Sequence, residues 1–244
     1  DPNPFPALAG FSWGKEDERF EETFFQLPEA VTDGAGRAQL QVALPNPPQT
    51  SMPLRAKVVA SVAEPGGRVV RENFDIPVRL AGQYLGVKPK GDGWIRAGQP
   101  AAFDVVAVDP NARRIASRVT WRIVEEDWSY DWYLESGQWK WRRTGRDIQV
   151  AGAQGTVDIP AAQALTLTQA NLREGSYRLI LKNDATGAEA THRFGVGWGG
   201  YASDADTPDM VAVVPPSSPV KPGGRVEIEI KPPYAGEAQI VVAT

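Results

Sequence analysis

This sequence predicts an all-β protein built from tandem antiparallel β-sandwiches of immunoglobulin or fibronectin type. Three observations carry that prediction. Apolar residues alternate with polar ones in runs of roughly 5–9 residues, the period of a strand buried on one face. Glycine (24) and proline (21) are frequent but follow no period, so they punctuate turns rather than mark a low-complexity segment. One strand pattern also occurs twice, at residues 95–108 (IRAGQPAAFDVVAV) and 220–230 (VKPGGRVEIEI). The copies overlay with Ile95 on Val220, Arg96 on Lys221, Gly98 on Gly223, Ala101 on Val226, Phe103 on Ile228 and Val105 on Ile230. Each follows a short apolar strand that ends on proline, YLGVKP at 84–89 and MVAVVP at 210–215. So wide a repeat exceeds the roughly 20–50-residue period of solenoids and means tandem domains of one type.

Composition sets the bounds. A chain of 244 residues with 42% hydrophobic and 23% charged content can bury ordinary globular cores. A net charge of −4 with no basic block lacks the footprint of a nucleic-acid binder. No apolar run approaches the ~18 residues that would span a bilayer, so direct membrane insertion is not expected. No signal peptide opens the sequence, so a leader has been removed or the chain is a piece of a longer one. With no cysteine in this stretch there is no disulfide, thiolate metal site or cysteine nucleophile.

In chain order, residues 1–14 (DPNPFPALAGFSWG) are punctuated by Pro and Gly without a period, and 15–22 is a charged run that reads as a solvated loop or a short helical turn. The turn cluster at 32–36 launches an expected strand at 37–45, with Ala38, Leu40 and Val42 in alternation. Residues 54–62 alternate again, and EPGG at 64–67 closes a hairpin onto 69–78. The middle block repeats this grammar: 155–160 answers 36–45, 175–181 answers 53–59, the turn at 183–187 answers the turn at 64–67, and 189–196 answers 70–78. Only 161–172 is permissive for helix, and it has no cap pair. The expected division is therefore a first sandwich at 1–81 lacking its opening strand, a complete one at 82–199, a linker at 200–207 and the first strands of a third at 208–244. A block lacking a strand exposes a sheet edge, which should be shortened, bulged or paired with a neighbour.

The motif set resembles the bacterial alpha-2-macroglobulin family. Its carriers are DPNPFPALAGFSWG (1–14), TDGAGRAQL (32–40), PGGRVV (65–70), QYLGVKPKGDGWIRAGQPAAFDVVAVDP (83–110), EEDWSYDWYLESGQWKWRRT (125–144), FGVGWGG (194–200) and KPGGRVEIEIKPPYAGEAQIVVAT (221–244). The resemblance implies macroglobulin-like sandwiches of a large periplasmic endopeptidase inhibitor, in which cleavage of a bait segment triggers entrapment of the protease. It implies scaffold domains with no enzymatic role and no cofactor. Their partners would be other domains of the same parent chain and, through the parent, proteases; the parent is a candidate for lipid anchoring. The thioester motif of the family needs a cysteine and cannot lie here, and no bait-like insert occurs. No functional residue of the family therefore maps onto a position in this chain.

Candidate chemistry is sparse. Trp128, Tyr130, Trp132, Tyr133, Trp139 and Trp141 form a possible interaction surface on a hairpin turning at 135–137. The aromatics could stack on sugars or anchor a protein partner. They could equally pair across the strands and pack on a neighbouring domain, which is the preferred reading. The alternative function is a carbohydrate-binding or adhesin-type module using this hairpin. Glu125, Glu126 and Asp127, with Asp131 and Glu135 nearby, could suggest a glycosidase pair. Adjacent strand residues face opposite ways, however, so Lys140, Arg142 and Arg143 are expected to pair them as surface charges. Asp204, Asp206 and Asp209 are similar to a short calcium loop but are interrupted by Pro208 and have no closing Glu, so a solvated linker is expected. His192, in phase with Ala190, Phe194 and Val196, reads as a partly buried strand residue. No G-x-S-x-G elbow, zinc ligand set or phosphate-binding glycine loop occurs, so no catalytic, cofactor or metal residue is assigned and a β-rich hydrolase is disfavoured.

Overall fold

Thirteen strands and one short 3-10 turn (Pro6–Leu8) make up the computed structural model, which describes residues 3–41, 48–63, 66–91, 94–197, 212–214, 225 and 229–231. In chain order the strands are β1 (Ser12–Trp13), β2 (Leu54–Ala63), β3 (Val69–Val78), β4 (Tyr84–Pro89), β5 (Trp94–Ile95), β6 (Ala101–Val108), β7 (Ser117–Glu135), β8 (Gln138–Ile159), β9 (Leu165–Gln169), β10 (Gly175–Lys182), β11 (Glu189–Val196), β12 (Ala212–Val214) and β13 (Glu229–Lys231). The fold is all-β, with sheets that are antiparallel apart from the short parallel pair β5–β11, packed as a sandwich.

A four-stranded sheet, β1-β4-β6-β9, packs on a five-stranded sheet, β5-β11-β10-β7-β8. Alternation decides which residues meet between them. Leu85, Val87, Phe103 and Val105 of the first sheet join Ile123, Tyr177, Leu179, Leu181, Phe194 and Val196 of the second in one buried core. Phe103 meets Phe194 edge-on at 4.8 Å, and Tyr177 stacks on Phe194 at 5.6 Å. Each such fully buried side chain contributes roughly 1.5–3 kcal/mol.

β6 is apolar at consecutive positions because both faces of its sheet are covered. On the far side, Phe5, Leu8 and Trp13 pack on Tyr84, Val106 and Val108 as a second small core. Trp13 lies so close to Gly86 that a Cβ there would sit 2.8 Å from its ring, so only glycine admits the indole. Residues 3–14, which open the stretch read as the first block, thus lie against the second sandwich. Arg79 ties them to the β2–β3 hairpin by donating to Leu54 O (2.6 Å) and Pro4 O (2.7 Å) with its guanidinium over the Phe5 ring.

The β2–β3 hairpin forms as predicted, in register from Leu54↔Val78 to Ala63↔Val69. It is a two-stranded sheet, with Phe74 50% and Ile76 45% exposed. The repeated strand pair is also present. Lys88 sits opposite Asp104 in β4–β6, and the equivalent Val214 sits opposite Glu229 in β12–β13.

Three local expectations are corrected. Residues 37–41 form no strand, because Ala38 and Leu40 have no neighbouring strand among the described residues and Leu40 is 47% exposed; 42–45 lie outside the described residues. The helix-permissive run contains β9 instead, since Leu165 and Leu167 pair with Val105 and Phe103 of β6 and turn into the core. Residues 155–160 are no separate strand but end the long β8. The charged run at 15–22 is a loop with one turn, as expected, in which Glu18 N donates to Lys15 O (3.2 Å); its first residues also dock on the sandwich.

Candidate functional site

β7 and β8 are far longer than the sheet that holds them. β10 pairs with β7 only from Thr120 to Glu125, whereas the β7–β8 ladder continues from Glu126↔Asp147 to Glu135↔Gln138. At ~3.3 Å per residue this leaves an arm about 30 Å long with no other sheet partner among the described residues. The ladder breaks just below the arm. Arg122 faces Gln154 and Val124 faces Gln149, so residues 150–153 bulge opposite Ile123. Gly152 takes φ +74°, which favours glycine, and Gln149 Nε2 donates to Ile123 O (3.3 Å).

The aromatic residues singled out from the sequence all lie on this arm. Trp132 pairs with Trp141, Leu134 with Trp139, Tyr130 with Arg143 and Trp128 with Gly145. By register, positions 128, 130, 132, 134, 139 and 141 therefore fall on one face of the ribbon, and Tyr133 opposite Lys140 falls on the other. The side chains of Trp128, Tyr130, Trp132 and Trp141 lie outside the described residues. Trp139 is 69% exposed, and Tyr133 is exposed with the Arg142 guanidinium over its ring at 5.7 Å. Asp204, Asp206 and Asp209 lie outside the described residues as well.

The acidic run at the base of the arm differs from expectation. Lys140 pairs with Glu135, and Arg146 with Asp127 at 3.1 Å, but Glu126 is no surface charge. Its side chain is 1% exposed and held by Arg193 Nε (3.1 Å) and Arg178 Nη1 (3.4 Å). Such burial is tolerable only because the carboxylate is paired. Arg178 also binds Asp17 (3.0 Å) and Asp147, so one guanidinium joins β10, both strands of the arm and the docked segment 14–18. That segment completes the edge of β11. Thr191 N donates to Gly14 O (3.0 Å), Glu16 N to Thr191 Oγ1 (2.9 Å) and Arg193 N to Glu16 Oε2 (2.6 Å).

His192 sits in the strand as predicted, edge-on to Phe103 at 5.9 Å, with its Nδ1 buried, without a hydrogen bond and 3.8 Å from Glu16. Burial lowers its pKa below the ordinary histidine value, and the charge of Glu16 offsets this only in part. Glu18 anchors the end of the segment through Ser51 Oγ (2.6 Å). Burial works against its ionisation, but hydrogen bonds from Ser51 and Thr50 and the Lys15 charge prevail and lower its pKa. Among the described residues, no group of three or more His, Asp or Glu is placed to hold a metal. An open concavity of about 610 Å³ lies over Trp121, Gly155 and Lys182, whose charge is taken by Asp184 at 3.3 Å.

Glu16, Asp17, Arg178 and Arg193 were missed from sequence because their partners are far apart along the chain. One signal was available. The hairpin at 175–181 and 189–196 puts Arg178 directly opposite Arg193. Like charges so placed repel, so a carboxylate must lie between them.

Comparison with known proteins places these features in context. Residues 1–79 match the family model described as the bacterial alpha-2-macroglobulin MG5 domain, and residues 86–198 match bacterial macroglobulin domain 6. Alpha-2-macroglobulin of Xylella fastidiosa is 27% identical over 236 residues, covering 91% of this chain and 14% of that protein. Salmonella alpha-2-macroglobulin reacted with methylamine superposes with a TM-score of 0.64 at 22% identity, over 91% of this chain and 15% of that one. Escherichia coli alpha-2-macroglobulin activated by porcine elastase gives 0.62 at 23% identity, over 89% and 19%. The chain therefore spans only about one seventh of the curated relative, at 14% of its length.

Proposed function

The chain belongs to the bacterial alpha-2-macroglobulin family, and from that premise we propose that it supplies non-catalytic scaffold domains to a broad-spectrum endopeptidase inhibitor. In this reading the parent protein is periplasmic and its bait segment is cut by the attacking protease. The domains stay folded while the parent rearranges around its captive, and the aromatic arm lies against another domain of the same chain. The observation that carries the reading is the succession of two family domains, at 1–79 and 86–198, in the order of the relatives. That the E. coli relative is activated by an elastase makes an endopeptidase the natural trigger. At the root of the arm the charged residues converge on one another, in Arg–carboxylate pairs.

The test is to treat the intact protein with porcine elastase and follow sedimentation, residual elastase activity and cleavage sites. The expected result is a changed sedimentation coefficient, loss of elastase activity toward protein substrates, and no cut within residues 84–197. Early cleavage inside that sandwich, or elastase that stays fully active on large substrates, would defeat the reading.

A further inference from the structure

We infer that residues 14–18 form a releasable clasp, held by charge, that fixes the direction of the β7–β8 arm relative to the sandwich. The inference goes beyond the inhibitor reading and does not depend on it. It starts from where the arm joins the sheet. Glu125 is the last residue of β7 in ladder with β10, and Glu126 is the first of the arm. The bulge at 150–153 lies immediately below, and bulges bend the strand that carries them. Backbone pairing alone therefore leaves the arm free to swing about its root. Over a length of about 30 Å, a swing of ~20° moves the tip roughly 10 Å.

What opposes the swing is the charge cluster at the root. Arg178 of β10 holds Glu126 of β7, Asp147 of β8 and Asp17 of the clasp, while Arg193 of β11 holds Glu126 by its side chain and Glu16 by its backbone N–H. Both arm strands are thus pinned to the sheet and to the clasp through two guanidinium groups.

The charge balance makes the clasp releasable. With it docked, Asp17, Glu126 and Asp147 share the guanidinium groups of Arg178 and Arg193, and Glu16 accepts from the Arg193 backbone N–H. With it lifted, Glu126 and Asp147 face the same two arginines and the root is neutral, so undocking leaves no stranded buried charge. Asp17 and Asp147 are also 39% and 40% exposed, within reach of salt. The hydrogen bonds at Thr191 and Arg193 tip the balance toward docking. Closure of the β11 edge and restraint of the arm are therefore one event.

The test uses the intact protein with spin labels carried by unnatural amino acids at Gln138, at the arm tip, and Thr166, on β9. Electron–electron resonance reads their distance distribution, and hydrogen exchange reads the Arg193 amide. Glu16→Gln combined with Asp17→Asn removes only charge. It should widen the distribution about twofold and speed exchange at Arg193 about tenfold, the loss of one charge-assisted hydrogen bond. Wild-type protein in about 1 M salt should shift the same way, and this decides the matter if the variant folds poorly. A distribution as narrow in both as in wild type at low salt overturns the clasp, whether or not the Arg193 amide has lost protection.

Discussion

Residues 3–13 and residues 14–18 are consecutive and lie against the same sandwich, yet they are held there by opposite means. The first stretch inserts Phe5, Leu8 and Trp13 into an apolar patch over Tyr84, Val106 and Val108, with Phe5 edge-on to Trp13 at 4.6 Å. The second touches the sandwich through backbone hydrogen bonds, Glu16 and Asp17. Apolar burial is insensitive to salt and to protonation, whereas half-exposed ion pairs depend on both. The contrast teaches that one short stretch can contain a permanent anchor and a conditional contact, with Gly14 (φ +71°) as the joint between them. A side chain at that joint would also strike the Ser51 backbone at 2.8 Å.

The largest effect should come from the apolar half. Trp13→Ala removes a nearly buried indole and leaves a cavity above Gly86, at a cost of about 3–5 kcal/mol. Denaturant unfolding should report this loss equally at low and high salt. A loss that shrinks strongly in salt would erase the distinction between the halves. Next comes Arg178→Ala, which deprives buried Glu126 of one of its two arginines and frees Asp17 and Asp147. Breaking a buried pair costs up to roughly 3–5 kcal/mol, and because Arg193 stays in place the expected loss is nearer 2. Glu126→Gln combined with Arg178→Met should recover part of it, because a neutral pair needs no counter-charge. Failure to recover would mean that Arg178 acts by packing alone.

These effects were not equally legible in the sequence. The strands of the sandwich were, because Leu85/Val87, Phe103/Val105 and Leu179/Leu181 alternate at the strand period. The repeat of β4–β6 in β12–β13 was legible too, because Pro89 and Pro215 mark the same position. The length of the arm was not. Residues 145–155 (GRDIQVAGAQG) contain three glycines, and only the pairing of β8 with β7 across the bulge carries the strand through them. The anchor was hidden because three prolines between Asp1 and Phe11 mask any period, while its apolar residues pack on strands more than 70 positions away, as Ser12 to Val87 shows. The cluster at the arm root was illegible for the same reason, apart from the facing pair Arg178 and Arg193. The aromatic arm could be located from sequence, but the buried carboxylate beside it could not, since burial of Glu126 depends on three other segments.

The smallest effect, acid sensitivity, sharpens the comparison most. His192 lies where the two halves meet, with Glu16 of the clasp on one side, Phe103 of β6 on the other, and Leu179 opposite in register. Burial holds its folded-state pKa below the ordinary value of 6.5. Between that value and the lower folded one the unfolded chain binds more protons, so stability must fall as pH drops through the window. A single such group limits the slope to about 1.4 kcal/mol per pH unit. Glu18 adds a second loss at lower pH: its lowered pKa stabilises the fold above the ordinary carboxylate value, and that contribution disappears as pH falls through the folded one. His192→Phe keeps a ring against Phe103 and removes the first loss only. Unfolding midpoints measured from pH 7.5 down to about 5 should slope in wild type and flatten in the variant. Were both proteins equally pH-dependent there, His192 would not be the source of the sensitivity, and the boundary between permanent and conditional contact would no longer run through it.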